Sequence, residues 1–427
     1  TMSFNIVKQS WASLRQQPML GVISVTGMAL ALFLIMVVMM TQQVNVIPFA
    51  PESGRDRMLH ARFLSVNNES WNGEGGANGP HGRRSAETLY GDLPLGAITT
   101  IYNVGYYGAP TSGPDGKVYQ LRARDVDANY WKVFDFSFVS GKPFTQADFD
   151  ASRQVAVMTE SSARKLFGST DVAGRDFTLN HIPYRVAGVV KDVSSLATKA
   201  YGEVWVPYTT TGIENFLWND GIQGSLSVTI LAADRDDFPA LREEINRRLL
   251  SYNTELKPTG YYIIGRDRPY DQETDAYTKW ANVGPDMASV HRQQWIVYLI
   301  LLIVPAINLS SMTESRLRRR VSEIGVRRAF GCPRTTLFGN ILVENFIVTI
   351  IAGVVALLLS CVFALLFKEM LFTTWSSPDP MVTVGMLIQP STFLWALAFC
   401  FVLNLLSSGI PAWRASRVNV VTALTGK

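Results

Sequence analysis

The chain has 427 residues, 48% of them apolar and only 17% charged, with three cysteines and a mean hydropathy of +0.12. That composition excludes a disordered chain and a disulfide scaffold. A net charge of +4, from 39 Lys+Arg and 35 Asp+Glu, is too mild to predict a nucleic-acid partner unless the bases cluster.

Residues 1–18 form a short amphipathic N-terminal segment with Lys8 and Arg15 and no acid. Residues 19–40 then carry no charge. About 20 apolar residues let a helix cross roughly 30 Å of hydrocarbon, so a first transmembrane helix is expected over 19–41. A secretory signal has a shorter apolar core followed by small residues at a cleavage site. Here Thr41-Gln42-Gln43-Val44 follows, which favours an uncleaved anchor.

Residues 42–293 are alternately polar and apolar with Gly, Pro and Asp punctuation, the texture of a folded water-soluble domain. Within them 57–66 reads as a strand, 67–82 as a loop, and Ser85 as the N-cap of a short helix. Strands are predicted at 98–107, 154–158, 176–180, 184–190, 225–231 and 261–264. One helix is predicted at 161–167, capped by Thr159 or Ser161, and an amphipathic one at 237–250 with Asp237 as N-cap and Pro239 in its first turn. The pattern predicts two α+β lobes, a first built from 42–117 and 222–293 and a β-rich insert at 118–221.

Three further apolar segments, 294–312, 341–367 and 391–411, complete an expected set of four transmembrane helices. The loop 313–340 holds Arg316, Arg318, Arg319, Arg320, Arg327, Arg328 and Arg334 against Glu314 and Glu323. The tail 412–427 adds Arg414, Arg417 and Lys427, whereas 368–390 has only Lys368 against Glu369 and Asp379. Basic residues near span ends stay in the cytoplasm, so both termini and the Arg-rich loop are expected inside and 42–293 outside. The outer domain keeps 26 Lys+Arg against 30 Asp+Glu, which removes the case for nucleic-acid binding. Cys361 and Cys400 fall in spans and Cys332 in the inner loop, so the outer domain is expected to fold without an internal disulfide.

No catalytic constellation is present. There is no G-x-x-x-x-G-K-[ST], no H-E-x-x-H and no G-x-S-x-G, and His60, His81, His181 and His291 lack ligand-like spacing. The chain is expected to be no enzyme and to hold no cofactor or metal. Asn308, Glu344 and Asn404 stand out because polar groups at membrane depth are costly unless paired. Glu344, at the edge of the third span, could meet a loop arginine; Asn308 and Asn404 could bond between helices, worth about 0.6–2 kcal/mol. A continuous charged pathway, as an ion-coupled transporter needs, is missing.

The loop after the second span reads ESRLRRRVSEIGVRRAFG over 314–331, and Leu342-Val343-Glu344-Asn345 opens the third span. This resembles the MacB/FtsX-type permeases of ABC transporters, the type VII or mechanotransmission class, whose inner loop carries E-I-G-x-R-[RK]-A-x-G and then L-x-E. Residues 151–190, with Ala163-Arg164-Lys165-Leu166-Phe167-Gly168 between two apolar strands, are similar to the family's periplasmic core pattern. Residues 130–144 look like its "G-R-x-F" segment, with Lys142 where Arg is commoner, and Pro411-Ala412-Trp413-Arg414-Ala415 with Ala423-Leu424 looks like its ending. The resemblance covers essentially the whole chain and departs in lacking a fused ATPase domain.

The resemblance implies four spans per subunit and pairing with a second copy or a homologous permease. It implies a separate ABC ATPase dimer that binds ATP and Mg and docks under a coupling helix formed by Glu323, Ile324, Gly325, Val326, Arg327, Arg328 and Ala329. On that reading Arg327 and Arg328 meet acidic ATPase residues, Ile324 and Val326 offer apolar contact, Gly331 ends the helix and Pro333 restarts the chain. The implied role is a non-catalytic subunit of a bacterial inner membrane, driving export or efflux through a porter-like outer domain with a periplasmic adaptor and an outer-membrane channel. Lipoprotein release, control of wall hydrolases and an envelope-stress receptor are the alternatives.

Overall fold

The computed structural model describes residues 18–71, 76–319, 321–374, 380–388 and 390–417. They fall into a strand-rich unit, Asn45–Met287 with Phe372–Met381, and a helical unit made of the rest.

The strand-rich unit contains β1 Met58–Ala61, β2 Leu64–Asn68, β3 Ala77–Gly79, β4 Ile98–Asn103, β5 Tyr107–Ser112, β6 Val118–Val126, β7 Phe138–Gly141, β8 Val155–Thr159, β9 Asp176–Leu179, β10 Ile182–Val190, β11 Val204–Pro207, β12 Leu226–Leu231, β13 Tyr261–Ile264 and β14 Tyr270–Asp271. Six of them close a ring in the order β5, β6, β11, β8, β10, β9 and back to β5. Small and large side chains share its interior, Ala109, Ala123 and Ala156 beside Met158, Phe177 and Tyr184, which is how a narrow barrel fills without voids. The ring takes in β5, so it starts ahead of the 118 boundary expected for the β-rich lobe. The helix Glu160–Phe167 inserts Ala163 and Leu166 into the same core, and Thr159 caps it by accepting from the Ser162 N–H at 3.3 Å.

Beyond β6 the sheet continues through β4, β12, β1 and β14, all antiparallel. The helices Arg83–Tyr90 and Phe238–Leu256 pack against each other, the first also on β12. A second sheet has the order β13, β2, β3. Residues 57–66, expected as one strand, are therefore two strands in different sheets, interrupted at Arg62 and Phe63. Every residue of β1 and β2 is buried, so no inside–outside alternation marks the break. Ser85 does not cap its helix either. Gly82 occupies that position, and the Ser85 hydroxyl contacts the Gly82 and Ile222 carbonyls at 3.0 and 2.6 Å.

The helical unit is built on Pro18–Gln43, Met287–Arg319, Arg334–Leu366 and Pro390–Ser416. Among the described residues three helices are long and apolar enough to cross a membrane, Val25–Gln43, Arg334–Leu366 and Leu394–Arg414. The expected span 294–312 lies within Met287–Arg319, several of whose side chains fall outside the described residues, so the described count is three rather than four. Leu32, Ile35, Met36, Leu302, Ala356 and Leu403 form the core between the helices. The outward faces are equally apolar, with Leu30, Leu299, Leu358, Val362 and Phe401 exposed, a pattern suited to lipid. Gly353 sets the closest approach: a Cβ there would meet the Cys400 sulfur at 2.7 Å.

Candidate functional site

The motif at 323–329 forms its own short helix, Val321–Ala329. A Glu323–Arg327 pair at 2.7 Å, one turn apart and open to solvent on the Glu323 side, supports it by about 0.3–0.5 kcal/mol. Arg327 and Arg328 occupy its last turn, where cations complement the helix dipole. Its end is a Schellman stop. Gly331, at φ +87°, donates to the Arg328 carbonyl at 3.0 Å, and Cys332 donates to the Arg327 carbonyl at 3.1 Å. Pro333 then caps the long helix Arg334–Leu366.

Ile324 and Gly325 are buried. Ile324 packs with Leu317, Leu337, Ile341 and Ala412, residues of the three neighbouring long helices. Ile324 is thus a core residue rather than the surface contact expected of it. The reason is geometric: two residues apart on a helix of 3.6 residues per turn point roughly 200° apart, so Ile324 and Val326 cannot share a face. The outer face carries Val326, 44% exposed, and one turn on Phe330, 89% exposed, with Glu323 and Ala329 also exposed and Arg327 and Arg328 half-buried. Phe330 lies inside the 314–331 motif, and its spacing of one turn after Val326 is the sequence signal for this shared face.

Of the three polar residues predicted at membrane depth, Glu344 and Asn404 have side chains among the described residues. Glu344 is half-buried in the third turn of Arg334–Leu366, beside the buried Asn345. Asn404 is buried and its amide nitrogen donates to the Leu342 carbonyl at 3.3 Å, linking Pro390–Ser416 to Arg334–Leu366. Asn308 lies in Met287–Arg319, its side chain outside the described residues.

A buried polar network in the strand-rich unit has no motif that marks it in the sequence. It joins residues just after the first apolar helix to those just before Met287–Arg319. Both the Nε and an Nη of Arg55 reach Glu52 Oε2 at 2.7 Å, while Glu52 Oε1 accepts from the backbone N–H groups of Lys199 and Ala200 at 2.8 and 2.9 Å. Arg55 also donates to the Ile47 and Leu196 carbonyls. Burial pushes the Glu52 carboxyl up, but Arg55, the Ala200 amide and Lys199 outweigh it and hold it below the ordinary value. The Lys199 ammonium in turn pairs with Asp275.

His60 completes a chain of bonds. Its Nε2 faces Gln272 Oε1 at 2.8 Å, which requires the proton there, and its Nδ1 accepts from Thr229 at 3.1 Å. Tyr102 meets the same Thr229 hydroxyl at 2.8 Å, and Gln272 donates to the Asn45 carbonyl at 2.7 Å. Burial, reinforced by the Lys199 charge, pushes the imidazole down to about 4, so the ring is neutral in the fold. Among the described residues no group of His, Cys, Asp or Glu is arranged to hold a metal.

A family model described as the MacB-like periplasmic core domain matches residues 19–248, and one for the FtsX-like permease C-terminal matches 295–420. The macrolide export ATP-binding/permease protein MacB 1/2 of Paracoccus denitrificans is 26% identical over 352 residues, covering 78% of this chain and 49% of that protein. MacB of Escherichia coli K12 is 25% identical over 306 residues, covering 71% of this chain and 43% of that protein. The chain therefore spans about half the length of the curated relatives it matches. The crystal structure of the periplasmic region of MacB from Actinobacillus actinomycetemcomitans aligns with a TM-score of 0.33 at 18% identity, covering 49% of this chain and 88% of that one. The extracellular domain of the ABC-type transporter YknZ from Gram-positive bacteria aligns with a TM-score of 0.32 at 18% identity, covering 47% and 99%. With a periplasmic core model matching more than half of its length and a permease model matching residues 295–420, the chain belongs to the MacB/FtsX family of ABC transporter permeases.

Proposed function

We propose that this chain is the non-catalytic permease subunit of an inner-membrane ABC transporter, coupling ATP hydrolysis by a separate ATPase dimer to movement of its periplasmic domain. The two-faced helix Val321–Ala329 supports the reading most directly. One face is buried against three long helices, so a push on it is delivered to them; the other offers Val326, Phe330 and the two arginines to a partner. ATP and Mg belong to that partner, and a second permease copy or a homologue completes the assembly. Export is the work we assign, because the matched relatives are named as export ATP-binding/permease proteins, and we add to it a periplasmic adaptor and an outer-membrane channel as its partners.

The test is co-purification with the ATPase and stimulation of its hydrolysis. Arg327→Glu with Arg328→Glu, and separately Phe330→Asp, should weaken ATPase binding at least about tenfold, equivalent to about 1.4 kcal/mol, while the permease stays monodisperse. Ile324→Asp should unfold the helix locally and is unsuitable as a probe of the interface. ATPase stimulation that survives deletion of 323–329 would end the assignment.

A further inference from the structure

Within the strand-rich unit, the helix Phe238–Leu256, β13 and the loop 265–268 line a half-open cavity of about 490 Å³. Its floor is apolar: Leu64, Leu89, Tyr90, Ile245 and Ile263 are each at most 3% exposed. Its wall carries three half-buried arginines, Arg242, Arg266 and Arg268. Arg242 Nε donates to the Pro269 carbonyl at 3.1 Å, Arg266 Nε to the Ser65 hydroxyl at 2.8 Å, and Arg268 to the same hydroxyl at 3.4 Å and to the Ala281 carbonyl.

All these acceptors are neutral, and among the described residues no carboxylate pairs with any of the three guanidiniums. Glu243 and Asp267, the acids at the cavity, are exposed. Arg242 and Arg268 also lie over the Phe238 and Tyr270 rings, at 5.8 and 5.9 Å, and the three guanidiniums outnumber the two exposed acids, so the space between them carries net positive charge over an apolar floor. The loop is also held rather than loose. Arg266 and Asp267 keep left-handed backbone at φ +50° and +57°, and the Tyr270 hydroxyl donates to the Arg266 carbonyl at 2.7 Å.

We infer that this cavity binds an amphipathic anion, its carboxylate or phosphate head among Arg242, Arg266 and Arg268 and its apolar body over Leu64, Leu89, Ile245 and Ile263. The volume falls in the ordinary range of small-molecule sites. This ligand site stands apart from the ATPase coupling proposed above, because binding is read with no ATPase present.

The experiment is photolabelling of the full chain in nanodiscs of zwitterionic lipid. The probes are a 12-carbon carboxylate with a terminal diazirine, its trimethylammonium counterpart, and a lysophosphatidylglycerol carrying the same acyl diazirine. Labelled peptides are then mapped by mass spectrometry, which separates cavity label from label on the apolar helices. At least one anionic probe should mark 242–249 and 263–268, and the cationic probe should mark neither. Label by the carboxylate alone identifies a free carboxylate as the ligand, and label by the lysophospholipid alone identifies a lipid headgroup; either outcome supports the site.

Arg242→Gln with Arg266→Gln, and the cavity-filling Leu249→Trp, should each reduce the cavity label by about tenfold or more. Arg242→Lys with Arg266→Lys keeps the charge and should retain most of it, which separates loss of charge from loss of fold. Equal labelling by both head charges, cavity label indifferent to all these variants, or no cavity label by either anion would overturn the inference.

Discussion

Glu52 and Arg55 show how the desolvation cost of a buried ion pair is offset by its partners. Both side chains are at most 1% exposed, and both Glu52 oxygens have partners. Removing one partner leaves the other as an unpaired buried charge, so Arg55→Leu should cost about 3–5 kcal/mol in denaturant unfolding followed by tryptophan fluorescence. Replacing both with leucines should cost less than Arg55→Leu alone. His60 makes a prediction about pH. Its folded value of about 4 lies below the ordinary 6.5, so between those values the unfolded chain binds the extra proton. Stability is then complete above pH 6.5 and lost as pH falls towards 4, by up to about 1.4 kcal/mol per pH unit for one proton. His81, pushed to about 3 by burial and then by Arg268, titrates in the same direction. His60→Gln should therefore reduce, without abolishing, the slope of unfolding free energy against pH over that window; an unchanged slope would contradict the assignment. The sequence offered only a lone histidine without ligand spacing at 60. That its partners are Thr229 and Gln272, distant in the chain, is invisible to spacing.

At the scale of elements, the short helix Val321–Ala329 was legible and its orientation was not. Gly331 and Pro333 are local signals, and in the structure they end this helix and open the next. Which face turns inward depends on Leu317, Leu337, Ile341 and Ala412, which come from three other helices. Gly331→Ala tests the stop in isolation. A Cβ at Gly331 would meet nothing within 4 Å, so its cost is the backbone angle alone, about 1 kcal/mol. Hydrogen exchange at the Cys332 amide, which bonds to the Arg327 carbonyl, should accelerate about fivefold. The Ser85 cap failed for a related reason. A serine three residues into a helix looks like a cap when the chain is read alone, but its hydroxyl also reaches Ile222 across the fold, and Gly82 holds the boundary.

For the whole molecule, closure of the six-stranded ring is the main feature that reading along the chain did not supply. β11 pairs β6 on one side and β8 on the other, so it is no edge strand. Its amides should exchange as slowly as those of β10. Exchange of β11 at edge-strand rates would show that the ring is open. The chain alone determined the apolar helices, the helix motif with its stop, and the strand-rich character of 42–293, because hydropathy, helix capping and alternation act over a few consecutive residues. The tertiary structure decided the ring, the inward turn of Ile324, the network joining Glu52 to Lys199 and Asp275, and the three arginines around one cavity. These depend on pairings such as Glu52 with the Lys199 amide, 147 residues apart, and only the folded chain sets such distances.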